Sequence, residues 1–182
     1  MPTEPFALHT DRLILRQWRD DDDEPWARLV GDPVVMEFFP ATLDRAESDA
    51  KADQLRAEIE EIGYGFWAVE APGVAPFIGF VGLRMTTDDM PFPPTLEIGW
   101  RLDRPYWGKG FATEAARECL RFGFEELQAE SIISFTSVLN TRSEAVMKRI
   151  GMSREGEFEH PKLQEGHRLR RHVLYRIERD DQ

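Results

Sequence analysis

Hydrophobic and polar positions alternate in two different rhythms along the chain. Short apolar runs bounded by turn residues predict strands, and apolar residues three and four positions apart predict helices. Strands are predicted at 13–18, 65–70, 77–85, 96–102, 131–139 and 171–177, and helices after the acidic run 20–24 and at 43–62, 108–127 and 141–150. This order, β-α-α-β-β-β-α-β-α-β, is typical of a mixed α/β fold with a hairpin-rich sheet in its middle.

Capping residues support these boundaries. Acidic residues at 20–24 before a proline predict a helix start, and the Gly-Asp-Pro sequence at 31–33 predicts its end. Leu55, Ile59 and Ile62 have the spacing of a buried face on the second helix.

Length and composition restrict the class of protein. The chain has 182 residues, which predicts a single domain over 1–182. It lacks an apolar run of about 18 residues and a signal-peptide pattern, so we expect a cytoplasmic protein with no membrane span. Cys119 is the only cysteine, which excludes an internal disulfide. Its neighbours predict a small buried residue.

The formal net charge of -11 argues against nucleic acid as the main partner, because like charges repel. The same field would attract cationic amines, although an acidic surface often serves only solubility.

One segment indicates chemistry. The strand 96–102 leads to Gly108-Lys109-Gly110, and a helix begins at once. Glycines bring backbone N–H groups close to a ligand, and a helix start adds free donors and the positive end of its dipole, so the segment suits a phosphate or pyrophosphate. A tight turn into a helix is the alternative. The spacing fits neither a Walker loop nor a dinucleotide fingerprint, since Thr113 stands where the latter needs glycine.

The segment from Pro105 to Ala115 resembles the acetyl-CoA motif of the GNAT acetyltransferases, most closely the branch containing the ribosomal-protein N-terminal acetyltransferases. Pro105 stands where the superfamily pattern has Gln or Arg. Two further segments, 10–16 and 140–152, are similar to the opening and the Asn-x-x-Ser…Gly-Phe segment of that branch. The resemblance therefore covers nearly the whole chain.

The resemblance implies a mixed, mostly antiparallel sheet of about 6–7 strands flanked by helices, splayed between the strands 96–102 and 131–139. It also implies acetyl-CoA as co-substrate, with its pyrophosphate on backbone amides and its pantetheine arm in the splay. Asn140 would reach the pantetheine amide, or it would cap the following helix. The implied cofactor-binding residues are Trp100, Arg101, Leu102, Tyr106, Trp107, Gly108, Lys109, Gly110, Ala112, Thr113, Asn140 and Ser143.

The implied reaction needs a free amine. Deprotonating a lysine-like amine at pH 7 costs roughly 4.6 kcal/mol, and an α-amino group costs about 1.1 kcal/mol. Glu97 is the candidate base, because strand alternation puts it on one face with Gly99 and Arg101 and family members often keep a glutamate there. The alternative is a solvated strand glutamate. The acid for the leaving thiolate stays open between Ser137, Ser143 and water.

Two further residues are predicted to line the acceptor pocket, Phe39 and His160. Core packing for Phe39 and an ordinary loop position for His160 are the alternatives, and the histidine spacing does not indicate a metal.

The predicted activity is transfer of acetyl from acetyl-CoA to a primary amine in a ternary complex. The acceptor is a protein N-terminus or a small molecule, and the protein is a monomer or a homodimer. A non-catalytic acetyl-CoA sensor or interaction module and a structural α/β protein are the competing hypotheses.

Overall fold

The computed structural model describes residues 6–181, which form eight strands and four α-helices around one sheet. The strands are β1 (Leu8–His9), β2 (Ile14–Arg16), β3 (Phe66–Ala71), β4 (Ala75–Met85), β5 (Leu96–Leu102), β6 (Ser131–Ser137), β7 (Ser153–Glu159) and β8 (Arg171–Glu178). The helices are α1 (Asp23–Gly31), α2 (Arg45–Ile62), α3 (Phe111–Glu125) and α4 (Thr141–Arg149), and three-residue 3-10 turns lie at Asp20–Asp22, Arg104–Tyr106 and Arg179–Asp181.

The sheet has the order β1-β2-β3-β4-β5-β6-β8-β7 and is antiparallel except between β5 and β6. The mixed, mostly antiparallel sheet is therefore confirmed, with eight strands instead of the expected 6–7. The two strands that were missed are β1 and β7. The first has only two residues, and the second is an edge strand rich in glutamate, so neither shows an apolar run.

The parallel contact between β5 and β6 is short. Only Leu96 with Ile132 and Glu97 with Ile133 are paired, although each strand continues for at least four more residues. One side-chain bond crosses just beyond these pairs, from Ser134 Oγ to the Ile98 carbonyl at 3.0 Å. The two strands then part, which confirms the predicted splay; we call the gap between them the fork.

The helices cover opposite faces of the sheet. On one face α3 packs so closely that a Cβ on Gly123 would come within 2.6 Å of the Ile132 side chain. The other face receives α1 and α2, where Trp26 is fully buried against Phe80. Because side chains alternate along β5, Leu96 and Ile98 point towards α3, while Glu97 and Arg101 point towards α1 and α2.

Local capping explains the observed helix boundaries. Asp44 and Glu47 form a reciprocal capping box, so α2 begins at Arg45. Gly63 ends it with a φ of 83°. Ile62 lies in the last turn with 51% of its surface exposed, so its predicted place in the buried face was wrong.

Cys119 is buried, as expected for a small apolar residue, and burial raises the pKa of its thiol well above the usual value. None of the helices within residues 6–181 has the length and apolarity needed to cross a membrane.

Candidate active site

The loop between β5 and α3 has the backbone conformation expected of an anion site. Gly108 and Gly110 have φ angles of 71° and 79°, in the left-handed region that glycine tolerates best. Gly110 caps α3 and has no side chain with which to accept from the first turn. The amides at the start of α3 therefore point outward with the positive end of the helix dipole behind them.

Two of the predicted pyrophosphate donors are already engaged. The Tyr106 amide donates to the Asp103 carbonyl at 3.0 Å, and the Trp107 amide donates to the Arg104 carbonyl at 3.1 Å. These bonds close a 3-10 turn that the sequence analysis did not predict. The amides that remain for an anion are those of Gly108 to Gly110 and of the first turn of α3, which includes Ala112 and Thr113. Lys109 lies within this loop and is exposed.

The opening motif 10–16 holds this loop in place through hydrogen bonds to the loop and to α3, a role that sequence analysis missed. Glu114, in the first turn of α3, accepts from Thr10 Oγ1 at 2.6 Å and from Arg12 Nε at 2.7 Å. Arg12 Nη1 also donates to the Lys109 carbonyl at 2.9 Å. The chain start, the loop and α3 are thus held together by one charged cluster.

The main chain of β5 provides unpaired groups along the fork. The Ile98 carbonyl faces β6, and the Asp103 amide donates to Ile78 of β4 at 2.9 Å. Backbone groups alternate in direction along a strand, so those of Trp100 and Leu102 face the fork. Those of Arg101 face β4 instead, so its predicted contact with pantetheine has no free backbone group in the fork. The Leu102 carbonyl accepts from the Trp107 indole at 2.7 Å. The backbone group that Leu102 offers to the fork is therefore its N–H.

Asn140 caps α4, as the alternative interpretation held. Its Oδ1 accepts from the Ser143 amide at 3.3 Å, and its Nδ2 donates to Thr136 Oγ1 and Ser143 Oγ at 3.0 and 3.1 Å. Both Asn140 and Ser143 also line the cleft beside the fork. Their role in capping α4 therefore does not remove them from the surface that the predicted pantetheine arm would contact.

Glu97 lies where the fork closes. It is the last residue of β5 paired with β6, and it stands directly opposite Arg84 across the β4–β5 ladder. Its carboxylate makes no hydrogen bond or ion pair with another residue in 6–181. Burial raises the pKa of Glu97 to about 7, although the positive charges of Arg84 and Lys162 favour its ionised form.

The two predicted acceptor residues lie on the same side of the sheet as Glu97. Phe39 is partly buried, with the Arg101 guanidinium 3.8 Å from its ring centroid. His160 packs against His172 of β8, a residue the sequence analysis missed, with ring centroids 4.8 Å apart. Burial lowers the pKa of His172 to about 4 and also lowers the pKa of His160, which favours neutral rings.

Tyr175 is not available to protonate the leaving thiolate. Tyr175 is buried and donates to Glu144 at 2.6 Å, and burial raises its pKa to about 12. Ser137 is buried away from the cleft, while Ser143 and Tyr106 line it. Within 6–181, no three His, Cys, Asp or Glu side chains are grouped to hold a metal.

A single cleft of about 1540 Å³ joins the glycine loop, the fork and Glu97. The cleft therefore links the anion site on the α3 side of the sheet with a pocket on the α1–α2 side that Glu97, Phe39 and His160 line. This arrangement suits a long phosphate-bearing carrier whose reactive end passes through the fork.

Comparison with known proteins identifies the family. Residues 12–153 match the family model described as an acetyltransferase (GNAT) domain. The chain belongs to the GNAT acetyltransferase family. The uncharacterized N-acetyltransferase YnaD of Bacillus subtilis is 46% identical over 155 residues, which cover 83% of this chain and 85% of that protein. GNAT enzymes move an acetyl group from acetyl-CoA, and the resemblance inferred from residues 105–115 is confirmed.

Solved structures agree with this assignment. The GNAT-family acetyltransferase of Bacillus anthracis has a TM-score of 0.80 at 26% identity, covering 96% of this chain and 99% of that one. The ribosomal-protein-S5-alanine acetyltransferase of Vibrio fischeri has a TM-score of 0.75 at 20% identity, covering 97% and 98% of the chains. The latter similarity shows a shared GNAT fold alone.

Proposed function

We propose that this GNAT protein transfers the acetyl group of acetyl-CoA directly to a primary amine, with Glu97 as the general base. The observation that carries the proposal is the position of an unpartnered carboxylate, with a pKa near 7, at the closed end of the fork. A base with a pKa close to the working pH is the most effective proton acceptor.

The residues divide the work along the cleft. The amides of Gly108 to Gly110 and of the first turn of α3 bind the pyrophosphate, and the free backbone groups of Trp100 and Leu102 pair with the pantetheine arm. Asn140 and Ser143 border the arm on the β6 side. The same backbone amides near Trp100 lie close enough to the end of the fork to polarise the thioester carbonyl.

Glu97 then acts on the acceptor. It takes a proton from the bound ammonium, the amine nitrogen forms a bond with the carbonyl carbon, and the carbon–sulfur bond breaks. The nitrogen gives up its second proton to water in the open cleft, and the leaving thiolate takes a proton from that water, so that the net proton released stays on Glu97. The acetyl group does not pass through Cys119, because this thiol is buried on the core-facing side of α3.

Glu97→Gln tests the proposal. We expect kcat/KM to fall about 100-fold or more, since a positioned base contributes at least that much. The assay follows coenzyme A thiol release with an amine that the wild type acetylates. The wild-type rate should rise with pH through about 7, as the carboxylate form accumulates, and the variant should lack this step. Glu126→Gln, at an exposed helix end, is the matched control.

Acetyl-CoA binding separates the base from the cofactor site. The thermal shift given by acetyl-CoA should be the same in wild type and Glu97→Gln. Glu97 points to the α1–α2 face of the sheet, whereas the proposed pyrophosphate site lies on the α3 side. An unchanged rate for Glu97→Gln from pH 6 to 9 would remove Glu97 from the mechanism. Thiol release with no amine, despite binding, would favour the sensor hypothesis.

A further inference from the structure

The pocket beside Glu97 has a charge opposite to that of the whole protein. The molecule carries a net charge of -11, yet cationic side chains dominate the part of the cleft on the α1–α2 side. Lys51 reaches it from α2, Arg84 from β4 and Arg101 from β5. Glu97 is the only carboxylate in this part of the lining.

Arg101 has no partner for its charge within the described chain. Its guanidinium lies over Phe39, at 3.8 Å from the ring centroid, and near Phe80 at 5.4 Å. Its Nε is buried without a hydrogen-bond acceptor. Burial, with the nearby charge of Arg84, lowers the pKa of Arg101 to about 10. Arg101 is only partly exposed, and a cation with a buried N–H that lacks both an acceptor and a counter-ion is costly to a fold, so its presence points to an anion that binds there.

Arg84 shows the same lack of a partner. It stacks on Phe66 with its guanidinium 5.1 Å from the ring centroid, and it forms no ion pair with a carboxylate among residues 6–181. Glu97 is its cross-strand neighbour but does not bond to it. Lys51 donates only to the neutral Gln54 side chain, at 3.0 Å. Lys162 also lines this part of the cleft, but it pairs with Asp89 at 3.8 Å, so Glu97 is one carboxylate facing three cations that form no ion pair.

The two arginines are placed to act on one group. Phe80 and Arg84 of β4 point to the same face as Glu97 and Arg101 of β5, because Phe80 pairs with Arg101 and Arg84 pairs with Glu97. Aromatic rings hold both guanidinium planes, which limits the entropy lost on binding. A small anion between them would lie next to the base.

We propose that the acceptor of this transferase is an amine that also carries an anionic oxygen group, a carboxylate or a phosphate, and that Arg84 and Arg101 bind this group. The proposal rests on the function proposed above and narrows its substrate class. It replaces the expectation that the overall negative charge selects a cationic amine. Binding of the anion orients the molecule so that its ammonium points to Glu97.

The test uses pairs of amines in which one member carries an anionic group and the other a neutral polar group in its place. L-alanine is compared with L-alaninamide, 2-aminoethylphosphonate with ethanolamine, and a short peptide beginning with glutamate with the same peptide beginning with glutamine. Thiol release gives kcat/KM for each. We expect the anionic member of at least one pair to be preferred by about tenfold or more, as one charge-assisted bond provides. For alanine this preference runs against the lower basicity of the amide.

The three pairs distinguish the sources of the anion. A preference confined to alanine or the phosphonate indicates a small-molecule acceptor, and one confined to the glutamate peptide indicates a protein N-terminus. Either result supports the shared chemistry. Equal rates within all three pairs would overturn the proposal and leave the acetyltransferase function standing.

Variants assign the preference to the two arginines. Arg84→Gln and Arg101→Gln should each reduce the preference to within about threefold, mainly through KM, while acetyl-CoA still stabilises the protein. Arg28→Gln, at an exposed position of α1, should keep it. A preference that survives both substitutions would overturn the assignment, and a loss of acetyl-CoA binding would show that the arginines hold the coenzyme instead.

A binding measurement covers the case in which no amine is acetylated. With coenzyme A bound, the anionic member of a pair should raise the melting temperature of wild type but not of Arg84→Gln or Arg101→Gln. Such a rise in melting temperature would support the anion site at Arg84 and Arg101 even if the transferase proposal had failed. If no anionic amine raised the melting temperature, the proposed anion site would be overturned.

Discussion

At the scale of single residues, the environment of Glu97 differs from that of the other acidic side chains near the site. Glu114 is held by Thr10 and Arg12, and these bonds keep its pKa below the usual value despite partial burial. Glu97 has no such bonds, and burial raises its pKa to about 7. The first carboxylate is suited to fixing structure and the second to exchanging a proton.

This environment predicts a pH-dependent stability difference. Between about pH 4.5 and 7 the folded protein keeps a proton on Glu97 that the unfolded chain releases, so this group lowers the free energy of unfolding as pH rises through that window. Glu97→Gln lacks this effect, so its free energy of unfolding should gain about 3 kcal/mol relative to that of wild type between pH 4.5 and 8. Urea unfolding at both pH values measures it. Glu126→Gln should show no such gain in the free energy of unfolding. If Glu97→Gln also showed none, the raised pKa of Glu97 would be contradicted.

At the scale of elements, the glycine loop and α3 form one unit with the start of the chain. The charged cluster of Thr10, Arg12 and Glu114 fixes the loop relative to the helix. Gly110 has a φ of 79°, which favours glycine, and a Cβ there would lie 3.4 Å from Arg12 Nη2. Gly108 has open space around it, and only its φ of 71° requires glycine.

Gly108→Ala therefore tests the loop without a steric clash. The left-handed conformation costs alanine about 1–2 kcal/mol, and relief of that strain turns the neighbouring amides away from the anion. We expect acetyl-CoA to bind about tenfold or more weakly in a calorimetric titration. Gly63→Ala is the control, because it has a φ of 83°, open space and a place far from the cleft. If both variants bind acetyl-CoA like wild type, the loop does not hold the pyrophosphate.

The elements also show where sequence reasoning succeeds. The glycine loop, the helix it starts and the alternation along β5 are local patterns, so Gly108, Gly110 and the face of Glu97 were predicted from neighbouring residues. The 3-10 turn that engages the Tyr106 and Trp107 amides is local too, but one proline followed by two aromatic residues at 105–107 does not specify it. The strand β7 was missed because its glutamates give no apolar alternation.

At the scale of the whole molecule, what sequence reasoning missed are contacts between distant segments. Arg84 meets Glu97 only through the register of β4 on β5, and Lys51 enters the same pocket only because α2 packs over that face. His172 meets His160 through the pairing of β7 with β8. No spacing in the sequence encodes these distances, so the charge of the pocket could not be predicted.

The fork makes a further prediction at this scale. The amides of Trp100 and Leu102 face the gap, and a bound pantetheine arm should slow their hydrogen exchange by about tenfold or more, because it supplies the missing acceptors. The Arg101 amide faces β4 and should be protected with or without ligand. Exchange measured by NMR with desulfo-coenzyme A tests this. Unchanged exchange at Trp100 and Leu102 in the saturated protein would exclude the arm from the fork.

The short contact between β5 and β6 also has a mechanical consequence. Two residue pairs and the Ser134–Ile98 bond join the five strands β1 to β5 to the three strands β6 to β8. Leu96 and Ile132, which form one of these pairs, also lie against Gly123 of α3. Repacking these two side chains should therefore change the width of the fork, and with it the affinity for coenzyme A proposed above, without altering a group assigned to its binding.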